Sequence, residues 1–194
     1  TRSLVKAYFE DIPKGEKIAR REIRLSPPKS LEKFKIVKKK NTPLPAAIYA
    51  WQSVPKNHPD RPALTLLRDI LAQGKSSRLY RKFVYETELA AEVSAISFSL
   101  EKAGLFAIFV AGNRDTQFSS LDSLLFAEME TLLTEKISEK ELQKAINQQK
   151  TREASAYGTL FNRASALAKN SALQKNGEAT NAPNTESLTP ERLK

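Results

Sequence analysis

The chain has 194 residues, 40% of them hydrophobic, which is enough for one packed domain with an appendage. The absence of Cys excludes a disulfide framework and a thiolate metal site, and it leaves the redox compartment open. No apolar run approaches the roughly 20 residues of a membrane-spanning helix, so we predict no membrane span. The net charge is +10, of which +8 falls within residues 1–40.

This basic N-terminal segment invites a nucleic-acid interpretation. Its clusters Arg20-Arg21 and Lys38-Lys39-Lys40, however, have no interleaved aromatic side chains for base stacking and no recognisable binding module around them. A solvated linker, or a charged strand edge that discourages aggregation, fits the composition better. We therefore predict no nucleic-acid partner.

The first part of the chain predicts the end of one domain and a linker to the next. Residues 4–9 have the pattern of the last turns of a helix, which Pro13 and Gly15 end. Residues 16–33 are charged and contain Pro27-Pro28, as connectors do. We expect a truncated first domain over residues 1–15, a basic linker over 16–33, and a second domain over 34–194 that is truncated at its C-terminal end.

Within residues 34–194, hydrophobic periodicity predicts alternating pairs of strands and helices. The strands are expected at 34–38, 46–51, 89–100 and 104–112, the last two forming a hairpin. Helices are expected at 62–73, 78–85 and 118–133. Asp60 lies near the cap of the first of these helices, and Ser76 or Ser77 can cap the second. Another begins at the capping box Ser138–Glu141, reaches about Lys169 and is bent or only intermittently buried around Gly158. Residues 170–187 are expected to be mobile, and 189–191 to begin a further helix.

This order of elements predicts an α+β fold. Antiparallel strands joined by hairpins, with helices segregated to one face, form a two-layer sandwich.

The stretch ILAQGKSSRLY (70–80) contains the Gly-Lys-Ser of a phosphate-binding loop. Such a loop requires a Gly separated by four residues from the Gly-Lys pair, and it must follow a buried strand. Neither condition is met, because that position, 69, is Asp and residues 62–71 have helical spacing. The stretch is expected to be a helix, a glycine stop and a new helix cap.

The sequence contains no complete catalytic constellation. His58 is the only imidazole, which excludes a zinc site built from paired histidines. A serine triad would have to use His58 as its base, and the sequence has no Gly-x-Ser-x-Gly elbow to hold the nucleophile. Glu86, Glu88 and Glu92 cluster after a predicted helix, but carboxylates at this density are typical of a solvated face. We predict no catalytic residue and no metal ligand in this chain.

Several phrases nevertheless resemble a known family. They are YFEDIPKG (8–15), AW (50–51), HPDRPAL (58–64), DILAQGKSSRLY (69–80), GLF (104–106) and ELQKA (141–145). In this order they resemble the end of the first domain and most of the second domain of bacterial insulinase/pitrilysin-type zinc metallopeptidases, the family that includes the mitochondrial processing peptidase.

The resemblance implies that the zinc motif, His-x-x-Glu-His with a distal Glu, lies in a first domain upstream of this sequence. The second domain repeats the fold without zinc, and the two halves enclose a chamber that binds extended peptides, often by strand addition. The implied partners are that first domain, or a homologous subunit, and a peptide substrate. Bacterial relatives suggest an exported or periplasmic protein.

Active members of this family also place an Arg and a Tyr of the second domain, seven residues apart, near the scissile peptide. At the matching positions this sequence has Val84 and Ala91. Neither side chain can hydrogen-bond the peptide or its oxyanion, and loss of such a donor costs roughly 3–4 kcal/mol of transition-state stabilisation. Tyr85 is displaced by about 100° around the helix and Arg81 lies almost a turn earlier, so neither is an obvious substitute.

Two functions follow from the resemblance. The parent is either a zinc endopeptidase that does without this pair, with the present chain as its substrate-chamber half, or a non-catalytic subunit that pairs with an active homologue. A purely structural interaction module is the remaining alternative.

Overall fold

The computed structural model describes residues 2–13, 15–16 and 44–173, and the chain divides into two units, 1–31 and 32–194. In the first unit, helix α1 spans Arg2–Phe9 and carries an exposed ion pair between Lys6 and Glu10. The expected strand at 34–38, the expected helix at 189–191 and all but residues 170–173 of the segment expected to be mobile lie outside the described residues; residues 170–173 are helical instead.

The second unit contains a three-stranded antiparallel sheet. Its strands are β1 (Ala46–Ser53), β2 (Ala90–Ser99) and β3 (Gly104–Gly112), in the spatial order β1-β3-β2. The hairpin expected between the last two strands is present. β3 lies in the centre because β1 also pairs with it, with Ala46 opposite Ala111 and Ser53 opposite Gly104.

The other regular elements of the unit are helices. They are α2 (Arg61–Ala72), α3 (Arg78–Tyr80), which continues into a π-helical segment (Arg81–Glu86), α4 (Phe118–Thr134), α5 (Glu139–Ala156) and α6 (Leu160–Leu173). The result is the α+β architecture with an antiparallel sheet that the sequence predicts.

One face of the sheet and the apolar sides of the helices form the core. The strand residues Val93, Ile108 and Val110 are buried in one cluster with residues of α2, α4 and α5, among them Leu66 and Leu125. Burial of these aliphatic side chains stabilises the sandwich by roughly 1.5–3 kcal/mol for each. This single-sided core fixes which side chains remain on the opposite face of the sheet.

The turn between α2 and α3 follows the prediction with one difference. Gly74 has φ +81, a left-handed conformation that glycine adopts without a steric cost, and it ends α2. Ser77 occupies the N-cap position of α3, but its hydroxyl donates to the carbonyl oxygen of Gly74 at 2.7 Å instead of accepting from the new helix. Asp60, at the N-cap of α2, makes no side-chain cap hydrogen bond either.

The long helix predicted from Ser138 to about Lys169 is divided into α5 and α6. Its start is as expected, because Ser138 and Glu141 form the capping box. The break falls at residues 157–159, around Gly158. There the hydroxyl oxygen of Thr159 accepts a hydrogen bond from the backbone N–H of Asn162 and so supports the first turn of α6.

Candidate functional site

The face of the sheet turned away from the helices carries a row of exposed apolar side chains, which we call the open sheet face. Ile48 lies opposite Phe109, and Phe98 lies opposite Leu105, so their side chains are on the same face. Its large members are Ile48, Ile96, Phe98, Leu105 and Phe109, with exposed fractions between 36% and 69%. A contiguous apolar patch of this kind marks an interaction surface.

Three irregular backbone features occur in succession between α3 and β2. The π-helical segment ends where the N–H of Thr87 donates to the carbonyl oxygen of Lys82, five residues earlier. Glu88 then has φ +52, which is uncommon for a residue with a side chain. Ala91 is the extra residue of a β-bulge, because Ala90 and Glu92 face consecutive residues of β3. Such departures concentrate at functional sites.

Val84 and Ala91, the two positions singled out in the sequence, both lie within this irregular stretch, Val84 in the π-helical segment and Ala91 at the bulge. Val84 is half-buried and packs against the hydrophobic core, whereas Ala91 is exposed at the bulge. Neither provides a hydrogen-bond donor. Residue 91 is therefore exposed at the bulge, but its side chain cannot hydrogen-bond a peptide.

The two neighbouring candidates make local contacts instead. Arg81 Nε lies 3.3 Å from a carboxylate oxygen of Glu86, and the ring of Tyr85 packs edge-on against Tyr80 with centroids 5.5 Å apart. Lys82 also pairs with Glu86, at 3.1 Å. The carboxylate of Glu86 thus pairs with cations of its own segment, as expected for a solvated face.

Nothing in the described residues fits a zinc ion. His58 Nδ1 accepts a hydrogen bond from the N–H of Asp60 at 3.2 Å, within a turn of its own loop. Across residues 2–13, 15–16 and 44–173, no three His, Asp or Glu side chains come together as a metal site. No catalytic step through zinc can therefore be derived from these side chains.

The Gly-Lys-Ser sequence at 74–76 also lacks the context of a phosphate-binding loop. Helix α2, not a strand, precedes it, and only the three-residue α3 with its π-helical continuation follows. Lys144 of α5 donates to the hydroxyl of Ser76, which joins this turn to a helix distant in the sequence.

Three buried or half-buried polar contacts were not identified from the sequence. The hydroxyl of Tyr49 donates to Asp122 at 2.5 Å, and burial together with that hydrogen bond raises the pKa of Tyr49 well above its usual value. Asp69, whose side chain is fully buried, pairs with Arg68 and Arg152. The third contact, a two-point ion pair, joins α3 to the start of α5. All three connect separate elements. In the sequence these residues show only that they are polar or oppositely charged, which does not indicate which of them pair.

Similar proteins have been solved as crystal structures. A protease from Helicobacter pylori superimposes with a TM-score of 0.82 at 22% identity; the match covers 99% of this chain and 47% of that protein. The inactive peptidase domain of a candidate zinc protease from Bordetella parapertussis matches 80% of this chain and 83% of its own length, with a TM-score of 0.70 and 20% identity. The chain thus spans about half the length of the Helicobacter protease.

A third similar structure is the peptidase M16 inactive domain from Pseudomonas fluorescens, with a TM-score of 0.58 and 19% identity over 76% of this chain and 36% of that one. At these identities the structures establish the fold alone. None of the curated proteins compared with the sequence matches it significantly.

The fold is the one shared by the inactive peptidase domains among these similar structures. Residues 1–149 match the family model for the peptidase M16 inactive domain. The chain belongs to that family, which confirms the kinship with insulinase/pitrilysin-type peptidases that the sequence indicated. None of the described helices is long and apolar enough to cross a membrane.

Proposed function

We propose that this chain forms the substrate-contacting, non-catalytic half of a zinc endopeptidase whose zinc ligands lie in a first domain outside this sequence. Membership of an inactive-domain family supports the non-catalytic role. The similarity to about half of a Helicobacter pylori protease, and to a domain of a candidate zinc protease, supports a larger proteolytic parent. The partner in this proposal is that first domain, and the substrate is a peptide or an unfolded segment.

The open sheet face is the observation that carries this proposal. Peptides in extended form bury alternate apolar side chains and add their backbone to a sheet edge. Here the exposed Ile96 and Phe98 lie on β2, and among the described residues β2 and β1 each pair only with β3. An apolar surface beside a strand edge that has no partner within the described residues is suited to such a ligand.

Hydrogen exchange on the 194-residue protein tests this role. A short neutral peptide rich in Leu, Phe and Thr is expected to slow amide exchange in β1 or β2. Phe98→Lys should abolish this protection, because it places a charge on the open sheet face. Leu133→Lys is the matched control, since Leu133 is 66% exposed but lies on α4. Unchanged exchange in both strands, or equal loss in the two variants, would reject the proposal.

A second candidate function is that of a non-catalytic subunit paired with an active homologue. The absence of a donor side chain at Val84 and Ala91 favours it, if these are the positions where active relatives have Arg and Tyr. Reading the parent sequence upstream of Thr1 separates the two functions. The motif His-x-x-Glu-His followed by a distal Glu supports the endopeptidase, and an upstream domain without it supports the subunit.

A further inference from the structure

A groove lined mainly by cationic and amide residues lies in the helical layer, away from the open sheet face. It runs between the end of α2 and one side of α5, and its volume is about 770 Å³. The lining residues are Gln73, Gly74, Lys140, Gln143, Lys144, Asn147, Gln148, Thr151 and Arg152. Three of them are cations, and none is a carboxylate. We call it the α5 groove.

The charge of the α5 groove is only partly neutralised by the protein. Lys140 has no ion-pair partner among the described residues, and Lys144 donates to the Ser76 hydroxyl, which carries no charge. Arg152 is the exception, because it pairs with the buried carboxylate of Asp69. Two ammonium groups one helical turn apart therefore face the groove, and neither forms an ion pair within the described part of the chain, although Glu141 and Lys144 line a common small cavity.

The hydrogen bonding and length of the α5 groove suit an extended chain. The amide side chains of Gln143 and Asn147, joined by a hydrogen bond of 2.9 Å, lie between the cations and can both donate to and accept from a peptide backbone. From Lys140 to Thr151 the helix rises by about 17 Å, a distance that roughly five residues of an extended peptide cover.

We propose that the α5 groove binds an acidic, extended segment of a partner polypeptide. Carboxylates spaced two residues apart would lie on the same side of such a segment and pair with Lys140 and Lys144. Nucleic acid fits less well, because no aromatic side chain lines the groove to stack with bases. The groove does not involve the open sheet face, so this inference does not depend on the peptidase function.

Fluorescence anisotropy with labelled peptides tests the proposal on the 194-residue protein. A peptide of alternating Glu and Ala is expected to bind, and the same peptide with Gln for Glu is expected to bind at least several-fold more weakly. The double variant Lys140→Gln/Lys144→Gln should raise the Kd for the Glu peptide about three- to ten-fold, as expected for two exposed ion pairs.

The control variant Lys102→Gln/Arg114→Gln removes two charges that are likewise exposed but lie outside the groove, and it should leave the Kd unchanged. Asn147→Asp, a near-isosteric change, adds a carboxylate one helical turn from Lys144 and should also weaken binding. Equal losses in the control variant would show attraction to net charge alone and overturn the proposal. The proposal would also be overturned if an oligothymidylate bound more tightly than the Glu peptide and depended on the same lysines.

Discussion

Arg78 and Glu141, which are 63 positions apart in the sequence, form a two-point ion pair. Nε and Nη2 of the guanidinium donate to the two carboxylate oxygens at 2.7 and 2.9 Å. Glu141 is also the third helical residue of the capping box, where Oε2 accepts from the backbone N–H and the hydroxyl of Ser138. One carboxylate therefore both caps α5 and attaches it to α3.

Loss of Arg78 is expected to destabilise the fold. Its side chain is 15% exposed, so Arg78→Ala leaves a partly buried carboxylate without its charged donor and should cost about 1–3 kcal/mol in the free energy of unfolding. The control is Arg81→Ala, since Arg81 is 65% exposed in its pair with Glu86 and should cost less than about 0.5 kcal/mol. Urea denaturation measures both, and equal costs would contradict the prediction.

The same ion pair predicts a loss of stability in acid. Hydrogen bonds from Arg78, followed by those from Ser138, lower the pKa of Glu141 from 4.5 to about 2. Because the folded pKa is below the unfolded one, the carboxylate stabilises the fold at pH values above about 4.5, and this stabilisation is lost as the pH falls toward about 2. Glu141→Gln should therefore be less stable than the wild type at pH 7, and the gap should narrow between pH 4.5 and pH 2. A constant gap in urea denaturation across this range would refute the assignment.

Asp69 is expected to show non-additive coupling to its two arginines. The carboxylate is fully buried and accepts from Arg68 at 2.6 Å and from Arg152. Arg68→Ala or Arg152→Ala leaves one cation and should cost about 1 kcal/mol. The double variant leaves a buried charge unpaired and should cost roughly 3–5 kcal/mol, more than the sum of the singles.

Adding Asp69→Asn to the doubly substituted protein provides the control for this coupling. It removes the buried charge and should recover part of the lost stability. Simple additivity in a double-mutant cycle, or no recovery with Asn, would argue against the proposed coupling.

Val84 and Ala91 should respond differently to the side chains expected from the family resemblance. Ala91→Tyr adds an exposed ring at the bulge and should change the stability by less than about 0.5 kcal/mol. Val84→Arg introduces a charge at a half-buried position against the core and should cost about 1–3 kcal/mol. Thermal unfolding monitored by circular dichroism compares the two. Equal costs would mean that residue 84 is less tightly packed than the structure shows.

Much of the fold could be predicted from local patterns. Helix α2, the β2–β3 hairpin, α4 and the Ser138–Glu141 capping box all depend on residues close together in sequence, whose spacing and turn chemistry specify an element directly. The family could also be recognised from short phrases. The break of the last helix at Gly158 was harder to place, because glycine is compatible with both a bend and a stop.

What the sequence by itself determined is therefore the kind of most of the described elements, the fold class and the family. Only the tertiary structure decided that Arg78 meets Glu141, that Asp69 is buried between two arginines, and that Ile48, Phe98 and Phe109 share an uncovered face. Each depends on strand register or on the packing of helices far apart in the chain. Periodicity shows that a side chain is apolar or charged, but packing determines which residue, if any, covers it.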